Sequence, residues 1–293
     1  RASGPDSPVF ARGCGGAARA PAAAQAAAPV IYPQTPAVMS DHQACAAAGL
    51  PPPELVTVRG EEVTIAGVEC YVAGSGSLCV VVGYDVFGFK VKNTRHNVDE
   101  LARIIPDSTV VMPDFFRGAT ASDVQPLTGE AIGKFIQDYG SFEVVKTDLA
   151  VLTPALKERG AENFLWLGFC WGGRVALSIA AEPNALGFAA CGGIHAALKD
   201  DALDLAARVS VPLLFVQARN DPDLRPLQEV LDRDAALAER HLLRTYHDML
   251  HGYCSARGDR SKPRVRSAVS TTIAAVGDFF IEIGVEIGAY GKG

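Results

Sequence analysis

Short apolar runs alternate with amphipathic stretches along the chain from residue 54 onward. Runs of apolar and β-branched residues predict seven strands, at residues 69–73, 78–83, 109–112, 164–168, 187–190, 213–217 and 242–246. Apolar residues spaced three and four apart predict helices at residues 91–105, 144–159, 174–181, 227–239 and 265–283. Strands that alternate with helices indicate an α/β domain whose sheet is mostly parallel and flanked by helices.

The N-terminal segment has a different texture from the rest of the chain. Residues 1–50 are mostly Ala, Pro, Gly and Ser, which carry too little apolar surface to offset the entropy of ordering. We therefore expect a disordered leader before a single domain at residues 54–287. Its three arginines and few acidic residues make the segment similar in composition to an organelle transit peptide. The alternatives are a low-complexity leader and translated upstream sequence that precedes a true start at Met39. We expect a cytoplasmic protein, with organelle import as the alternative.

The composition narrows the class of partner. Of 293 residues, 48% are apolar and 20% are charged, which are globular proportions. The 27 Lys and Arg against 33 Asp and Glu give a net charge of −6, the wrong sign for a nucleic-acid binder or a binder of anionic membranes. Charges, Gly or Pro interrupt every apolar run well before the ~20 residues that span a bilayer, so we expect a soluble chain with no membrane partner.

The cysteines point away from disulfides and metals. There are seven, an odd number, and no two form a C-x-x-C pair. This spacing favours neither a disulfide framework nor a zinc site, so we expect a reducing compartment and free thiols. The Gly192-Gly193 pair lacks the G-x-G-x-x-G pattern of dinucleotide sites, and we expect no cofactor and no metal.

One thiol lies in a motif that suits a nucleophile. Gly168-Phe169-Cys170-Trp171-Gly172 joins a predicted strand to a predicted helix. A nucleophile on such a sharp turn needs small residues two positions before and after it, because a Cβ there would collide with backbone. The helix N-terminus would favour a thiolate and would aim the Trp171 amide at an oxyanion. The alternative is a buried structural Cys170 in a tight turn.

An acid and a histidine follow later strands in the order that α/β-hydrolases use. Asp221 and Asp223 come after the strand at 213–217, and His247 and His251 come after the strand at 242–246. The carboxyl ends of parallel strands meet at one edge of a sheet, where open α/β sheets place their sites. We expect Asp221 to be the acid, with Asp223 as its rival, and His251 to be the base, with His247 as its competitor.

Further polar groups follow strands at the same edge. Asp85 and the Val86 amide come after the strand at 78–83, and Arg117 comes after the strand at 109–112. Arg257 lies six residues past His251. Two arginines that flank one cleft would suit a carboxylate, although each is also an ordinary surface residue. The Trp171 side chain would wall the pocket or cover the core.

Together these segments resemble the dienelactone hydrolase family, the carboxymethylenebutenolidase-like branch of the α/β-hydrolases. The resemblance extends over residues 56–283. Five segments carry it, in the family's order: GYDVFGF (83–89), MPDFFRG (112–118), GFCWGG (168–173), RNDP (219–222) and HGYCSARG (251–258). It implies a single-domain α/β-hydrolase fold.

The resemblance also assigns roles to residues. It implies that Cys170 is the nucleophile, His251 the base and Asp221 the acid that orients it. Asp85 takes the place of the glutamate that hydrogen-bonds the resting thiol in the founding bacterial enzymes, one methylene shorter. The remaining implied groups are the oxyanion amides of Trp171 and Val86 and the substrate-binding side chains of Arg117, Arg257 and Trp171.

The implied activity is hydrolysis of a small ester or lactone through a cysteinyl thioester. The substrate carries a carboxylate if Arg117 and Arg257 bind substrate. The segment after His251 is spaced differently from that of the founding enzymes, so the substrate is left generic. Two alternatives use the same fold: a thioesterase or other acyl-transfer hydrolase, and a non-catalytic redox sensor or binding module with Cys170 as its thiol. The expected partner is a small molecule, and the chain is expected to be a monomer or a homodimer.

Overall fold

The computed structural model describes residues 50–52 and 55–290. Regular strands and helices extend from Glu61 to Glu286, within the domain that the sequence predicts. The predicted leader, apart from Leu50, lies outside the described residues.

Eight strands form one sheet. They are β1 (Glu61–Ile65), β2 (Val68–Gly74), β3 (Leu78–Gly83), β4 (Ser108–Pro113), β5 (Asn163–Phe169), β6 (Phe188–Ile194), β7 (Leu213–Ala218) and β8 (Leu242–Tyr246). Their order is β1-β2-β4-β3-β5-β6-β7-β8, and only the β1–β2 and β2–β4 pairs are antiparallel. The central strands are almost wholly apolar and buried, as expected where helices cover both faces of a sheet. The mostly parallel sheet predicted from the sequence is confirmed.

Within the described residues, seven α-helices accompany the sheet. They are α1 (Lys92–Ile104), α2 (Gly129–Tyr139), α3 (Phe142–Glu158), α4 (Trp171–Ala180), α5 (Ala202–Ala206), α6 (Arg225–Leu231) and α7 (Pro263–Glu286). Helix α4 packs on β5 and β6, whereas α7 packs on α1 and on the other face of β6 and β7. Neighbouring glycines of β6 mark the two faces, since Gly192 faces Phe280 of α7 and Gly193 faces Ala196.

All seven predicted strands are present, and three elements were missed. Strand β1 is short and half-exposed and α5 has only five residues, so neither has a strong periodic signal. Helix α2 is amphipathic, but it contains two glycines, which disfavour a helix. The predicted helix at 227–239 is wrong beyond residue 231. Asp234 accepts a hydrogen bond from the Ala236 N–H (2.9 Å), and such a local side-chain bond competes with helix continuation.

We expected no segment long and apolar enough to span a membrane, but helix α7 meets both criteria. Its 24 residues include a window of mean hydropathy 1.5, so by length and composition it could cross a membrane. The expectation was based on uninterrupted apolar runs, and Asp278 and Glu282 interrupt the run in this helix. The mean hydropathy over a window is high in spite of these two charges. In the fold, 56% of that window is buried, and the side chains of Val269, Val276 and Phe280 belong to the core. Core helices of α/β domains share this composition.

Candidate active site

Cys170 occupies a strained turn between β5 and α4. Its backbone has φ 51° and ψ −105°, a conformation that residues with a Cβ rarely adopt, and its side chain is buried. The loop after β6 holds this turn from both sides. The Cys170 N–H donates to the Ile194 carbonyl, and the Ala197 N–H donates to the Cys170 carbonyl, each at 3.0 Å.

Two glycines make the turn possible. A Cβ on Gly168 would lie 1.8 Å from the Gly172 carbonyl oxygen, and a Cβ on Gly172 would lie 2.2 Å from the carbonyl oxygen of Gly83. The expectation that both positions require glycine is confirmed. The Gly172 N–H also donates to the Tyr84 carbonyl (3.1 Å), which joins the start of α4 to the turn that follows β3.

His251 and Asp221 meet in the interior. The His251 Nδ1 lies 2.6 Å from the Asp221 Oδ1, and both side chains are almost fully buried. The other carboxylate oxygen of Asp221 accepts from the Ala218 N–H (2.6 Å), and the Asn220 side chain accepts from the His251 N–H (2.8 Å). The loops after β7 and β8 are therefore fixed to each other.

The rival residues lie elsewhere. The Asp223 carboxylate accepts from the backbone N–H of Arg225 (3.0 Å) and from its Nε (2.6 Å), and this guanidinium lowers the pKa of Asp223. His247 is exposed. Of the two predicted acids, the structure brings Asp221, and not Asp223, to His251.

The turn after β3 is tied to the segment after His251 through Asp85. Its Oδ1 accepts from the Phe87 N–H (2.9 Å), and its Oδ2 accepts from the Ser255 hydroxyl (2.6 Å) and the Ala256 N–H (3.0 Å). Asp85 is buried, and these three donors hold both of its carboxylate oxygens. Ser255 is a contact that was not predicted, and its only signal in the sequence is its place within the HGYCSARG segment.

The two predicted oxyanion amides lie at the ends of neighbouring strands. Strands β3 and β5 pair in parallel with Gly83 opposite Gly168, so the turns that carry Val86 and Trp171 leave the sheet side by side. Trp171 is the first residue of α4, where backbone N–H groups have no partner inside the helix and favour a negative charge. This placement suits stabilisation of an oxyanion.

The Trp171 side chain covers the core and also lines a cleft. Its Nε1 donates to the Gly140 carbonyl (2.8 Å), and its ring packs against Phe116 at 4.5 Å between centroids. The cleft, of about 390 Å³, lies between the α2–α3 connection and α4, with Arg174 and Lys199 at its margin. Neither Cys170 nor His251 lines this cleft, so the role of Trp171 as a wall of the substrate pocket stays a prediction.

The two predicted arginines have different surroundings. The Arg117 guanidinium donates to the Asp114 carbonyl (2.6 Å) and to the Asp148 carboxylate on α3 (2.5 Å). Arg257 is half-buried, and its guanidinium lies over the Phe87 ring, 4.6 Å from the centroid. Arg257 therefore lies against the β3 turn that carries Asp85, whereas Arg117 is engaged by α3.

His195 is a site neighbour that the sequence analysis missed. It is fully buried at the end of β6, and its ring centroid lies 5.1 Å from that of His251, with the rings inclined at 64°. Phe169 and Tyr253 flank it at 6.0 and 5.8 Å. Burial above all, and then the proximity of His251 and Arg257, lowers its pKa well below 6.5, so the ring is neutral. The only signal in the sequence was a histidine at a strand end.

The other cysteines within residues 50–52 and 55–290 lack the surroundings of a nucleophile. Burial raises the pKa of Cys70, Cys79 and Cys254 to about 12 and raises the pKa of Cys191 as well, so these thiols stay protonated at neutral pH. Over the same residues, no three His, Cys, Asp or Glu side chains are grouped as metal ligands would be.

Comparison with known proteins gives consistent matches. Residues 68–284 match the model of the dienelactone hydrolase family. The chain is 29% identical over 237 residues to an uncharacterized AIM2 family protein of Schizosaccharomyces pombe, covering 76% of this chain and 91% of that protein. It is 26% identical over 212 residues to a carboxymethylenebutenolidase homolog of Mus musculus, covering 70% and 83%. Its fold is similar to the crystal structure of a dienelactone hydrolase from Anabaena variabilis, with a TM-score of 0.52, 14% identity, and coverage of 77% and 97%.

Proposed function

The chain belongs to the dienelactone hydrolase family of the α/β-hydrolases, and from this premise we propose that it hydrolyses small esters or lactones by covalent catalysis at Cys170. The observation that carries the proposal is the buried 2.6 Å contact between His251 and Asp221, at the same sheet edge as the strained Cys170 turn. A base oriented by an acid, next to a nucleophile on a sharp turn, is the arrangement that activates a weak nucleophile.

In the first step His251 accepts the thiol proton. Because its Nδ1 contacts Asp221, Nε2 is the ring nitrogen that takes this proton. The sulfur attacks the substrate carbonyl carbon, and the carbonyl π electrons move to the oxygen. The Trp171 and Val86 amides stabilise that oxyanion. The C–O bond to the leaving alcohol then breaks, His251 returns the proton to the alkoxide, and a cysteinyl thioester remains.

In the second step water replaces the alcohol. His251 removes a proton from the water as its oxygen attacks the thioester carbonyl carbon. The tetrahedral intermediate collapses, the C–S bond breaks, and the thiolate regains the proton from His251 as the free acid departs. In both steps the Asp221 carboxylate stabilises the charged imidazole and fixes its tautomer.

We assign Asp85 a role in the resting enzyme. A carboxylate beside a thiol opposes thiolate formation, so Asp85 protects Cys170 until substrate binds. The Asp85→Ala variant should therefore react faster with iodoacetamide at neutral pH, measured by mass spectrometry of the peptide that contains Cys170. An unchanged alkylation rate in folded Asp85→Ala would refute this role.

Arg257 is the proposed site for a substrate carboxylate. Its position over Phe87, next to the turn that carries Asp85, places a positive charge at the active-site edge. Arg257→Ala should raise KM for a lactone that bears a carboxylate and leave KM for p-nitrophenyl acetate within about twofold. Equal effects on both substrates would contradict this assignment.

The test of the reaction uses the full chain and two substrate types, p-nitrophenyl acetate and a dienelactone. Cys170→Ala and His251→Ala should each lower kcat/KM by at least ~10³-fold, and Asp221→Asn by about 10³- to 10⁴-fold. Asp223→Asn is the matched control and should retain wild-type turnover, since its carboxylate contacts Arg225 instead. An acetyl adduct on Cys170, trapped by rapid acid quench, would identify the thioester.

Other outcomes select the alternatives. Faster turnover of an acyl thioester than of either ester substrate would indicate a thioesterase on the same residues. No turnover by folded wild type, with reversible oxidation of Cys170, would favour a sensor and refute the proposed hydrolysis.

A further inference from the structure

We propose that His195 is a positioning residue for the same reaction. Its ring packs against His251 and holds that imidazole in the plane in which Nε2 faces Cys170. Its backbone shapes the loop that is hydrogen-bonded to the Cys170 turn. This inference rests on the proposed function. It assigns a role to a buried histidine that the mechanism does not otherwise use.

The backbone of His195 connects it to the nucleophile. His195 has φ 39°, an uncommon conformation for a residue with a side chain, and its N–H donates to the Val216 carbonyl (2.7 Å). The residues around it make both backbone hydrogen bonds from this loop to Cys170, one through the Ile194 carbonyl and one through the Ala197 N–H. One strained residue therefore lies between the two hydrogen bonds by which this loop holds the Cys170 backbone.

The ring of His195 connects it to the base. The contact with Asp221 restrains the His251 imidazole at Nδ1, on one edge of the ring. The edge-to-face packing with His195, at 5.1 Å and 64°, supplies a second point of restraint. Tyr253 supports His195 from another side, and its hydroxyl is held by Thr272 (2.7 Å).

The surroundings favour packing over proton transfer as the role of this ring. Besides the Cys170 thiol, ionisable groups that face the two histidines include Asp221, which contacts His251, and Arg257 and Tyr253. Neither ring nitrogen of His195 has a hydrogen-bond partner among the described residues. A neutral ring enclosed by other rings has no relay along which to move a proton, so its flat shape is the property that matters.

The role of the ring separates two substitutions of His195. His195→Ala removes the second restraint and should lower kcat by about 10- to 100-fold with KM within about twofold, because a small misplacement of a reacting group carries that penalty. His195→Phe keeps a flat ring and should restore kcat to within about threefold of wild type. The acidic limb of its kcat/KM profile should coincide with that of wild type, since His195 carries no proton in the reaction.

His241→Ala is the matched control for the loss of a buried imidazole. His241 is half-buried at the opposite end of β7, where its Nδ1 accepts from the Leu213 N–H (3.0 Å). This variant should lose stability in urea without a change in kcat. If His195→Ala does not fold, His195→Leu, which keeps apolar volume but no flat ring, carries the same expected loss of kcat.

Two results would overturn the inference. One is wild-type kcat in folded His195→Ala or His195→Leu, and the other is a loss in His195→Phe as large as in His195→Ala. If Cys170→Ala or His251→Ala remains active, the proposed function itself fails. If those variants are inactive and His195→Ala is not impaired, only the role of His195 fails.

Discussion

Acidification should destabilise the wild-type chain in a way that His195→Phe removes. The pKa of His195 is lowered well below its ordinary value of 6.5, mainly because the ring is fully buried and further because His251 and Arg257 lie nearby. Below pH 6.5 the unfolded chain binds a proton at this residue and the folded chain does not. Protonation therefore favours unfolding, and the stability present above pH 6.5 declines as the pH falls.

The magnitude follows from the linkage between protonation and folding. One proton bound only in the unfolded state lowers the free energy of unfolding by about 1.4 kcal/mol per pH unit. Between pH 6.5 and pH 5.0 the wild type should therefore lose up to about 2 kcal/mol through His195 alone. Phenylalanine has no proton to bind, so His195→Phe should not show this component.

Urea unfolding of wild type and His195→Phe at pH 7.5 and pH 5.0 gives the loss in free energy of unfolding on acidification for each protein. The difference between the two losses is the contribution of His195. The cost of phenylalanine at a positive φ and the change in packing are independent of pH, so they cancel. Burial also lowers the pKa of His241, but that residue is present in both proteins, and its contribution cancels too. Equal acid destabilisation of wild type and His195→Phe would show that His195 is protonated in the folded chain, and the reasoning would be refuted.

Two further variants test the turn and the edge of the sheet. Gly172→Ala should lower the free energy of unfolding by at least about 2 kcal/mol, because its Cβ would lie 2.2 Å from the Gly83 carbonyl oxygen. Gly67→Ala should cost less, because a Cβ at Gly67 would have no atom within 4 Å. Equal losses of stability in thermal denaturation would argue against the steric explanation. Glu62→Gln should lower Tm at pH 7 and have little effect at pH 3, because hydrogen bonds from Arg95 and Lys90 lower the pKa of Glu62. The stabilisation by Glu62 is therefore present above about pH 4.5 and is lost as the pH falls through the pKa of Glu62 in the folded chain. A Tm difference that is the same at both pH values would contradict this prediction.

The parts of the site that follow from local rules could be predicted from the sequence. The need for glycine at positions 168 and 172 comes from backbone atoms within four residues or on the neighbouring strand, and parallel strands place their carboxyl ends at one edge. These two rules were enough to select Cys170 and the loops that contain Asp221 and His251. The same reasoning gave seven of the eight strands, including the six that pair in parallel.

The parts that depend on distant contacts could not be predicted. Asp221 and Asp223 are both acids in the same loop, and the choice depends on a contact with a residue 30 positions away. Arg117 follows a strand as an active-site residue would, but an acid on α3, Asp148, engages its guanidinium. Spacing along the chain carries no information about such partners.

The two buried histidines show what decides a role when residue type and location are equal. His195 and His251 both follow strands of the sheet, both are buried, and their rings are in contact. His251 has a carboxylate at 2.6 Å, so it can carry a proton during the reaction, whereas His195 has none and stays neutral. In the proposed mechanism the environment thus divides the pair into a base and an uncharged neighbour, as it does for pairs of titratable groups in other active sites. Because Asp221 is the group that makes this difference, its substitution should remove the distinction between the two rings, while substitution of His195 should disturb only the geometry of the base.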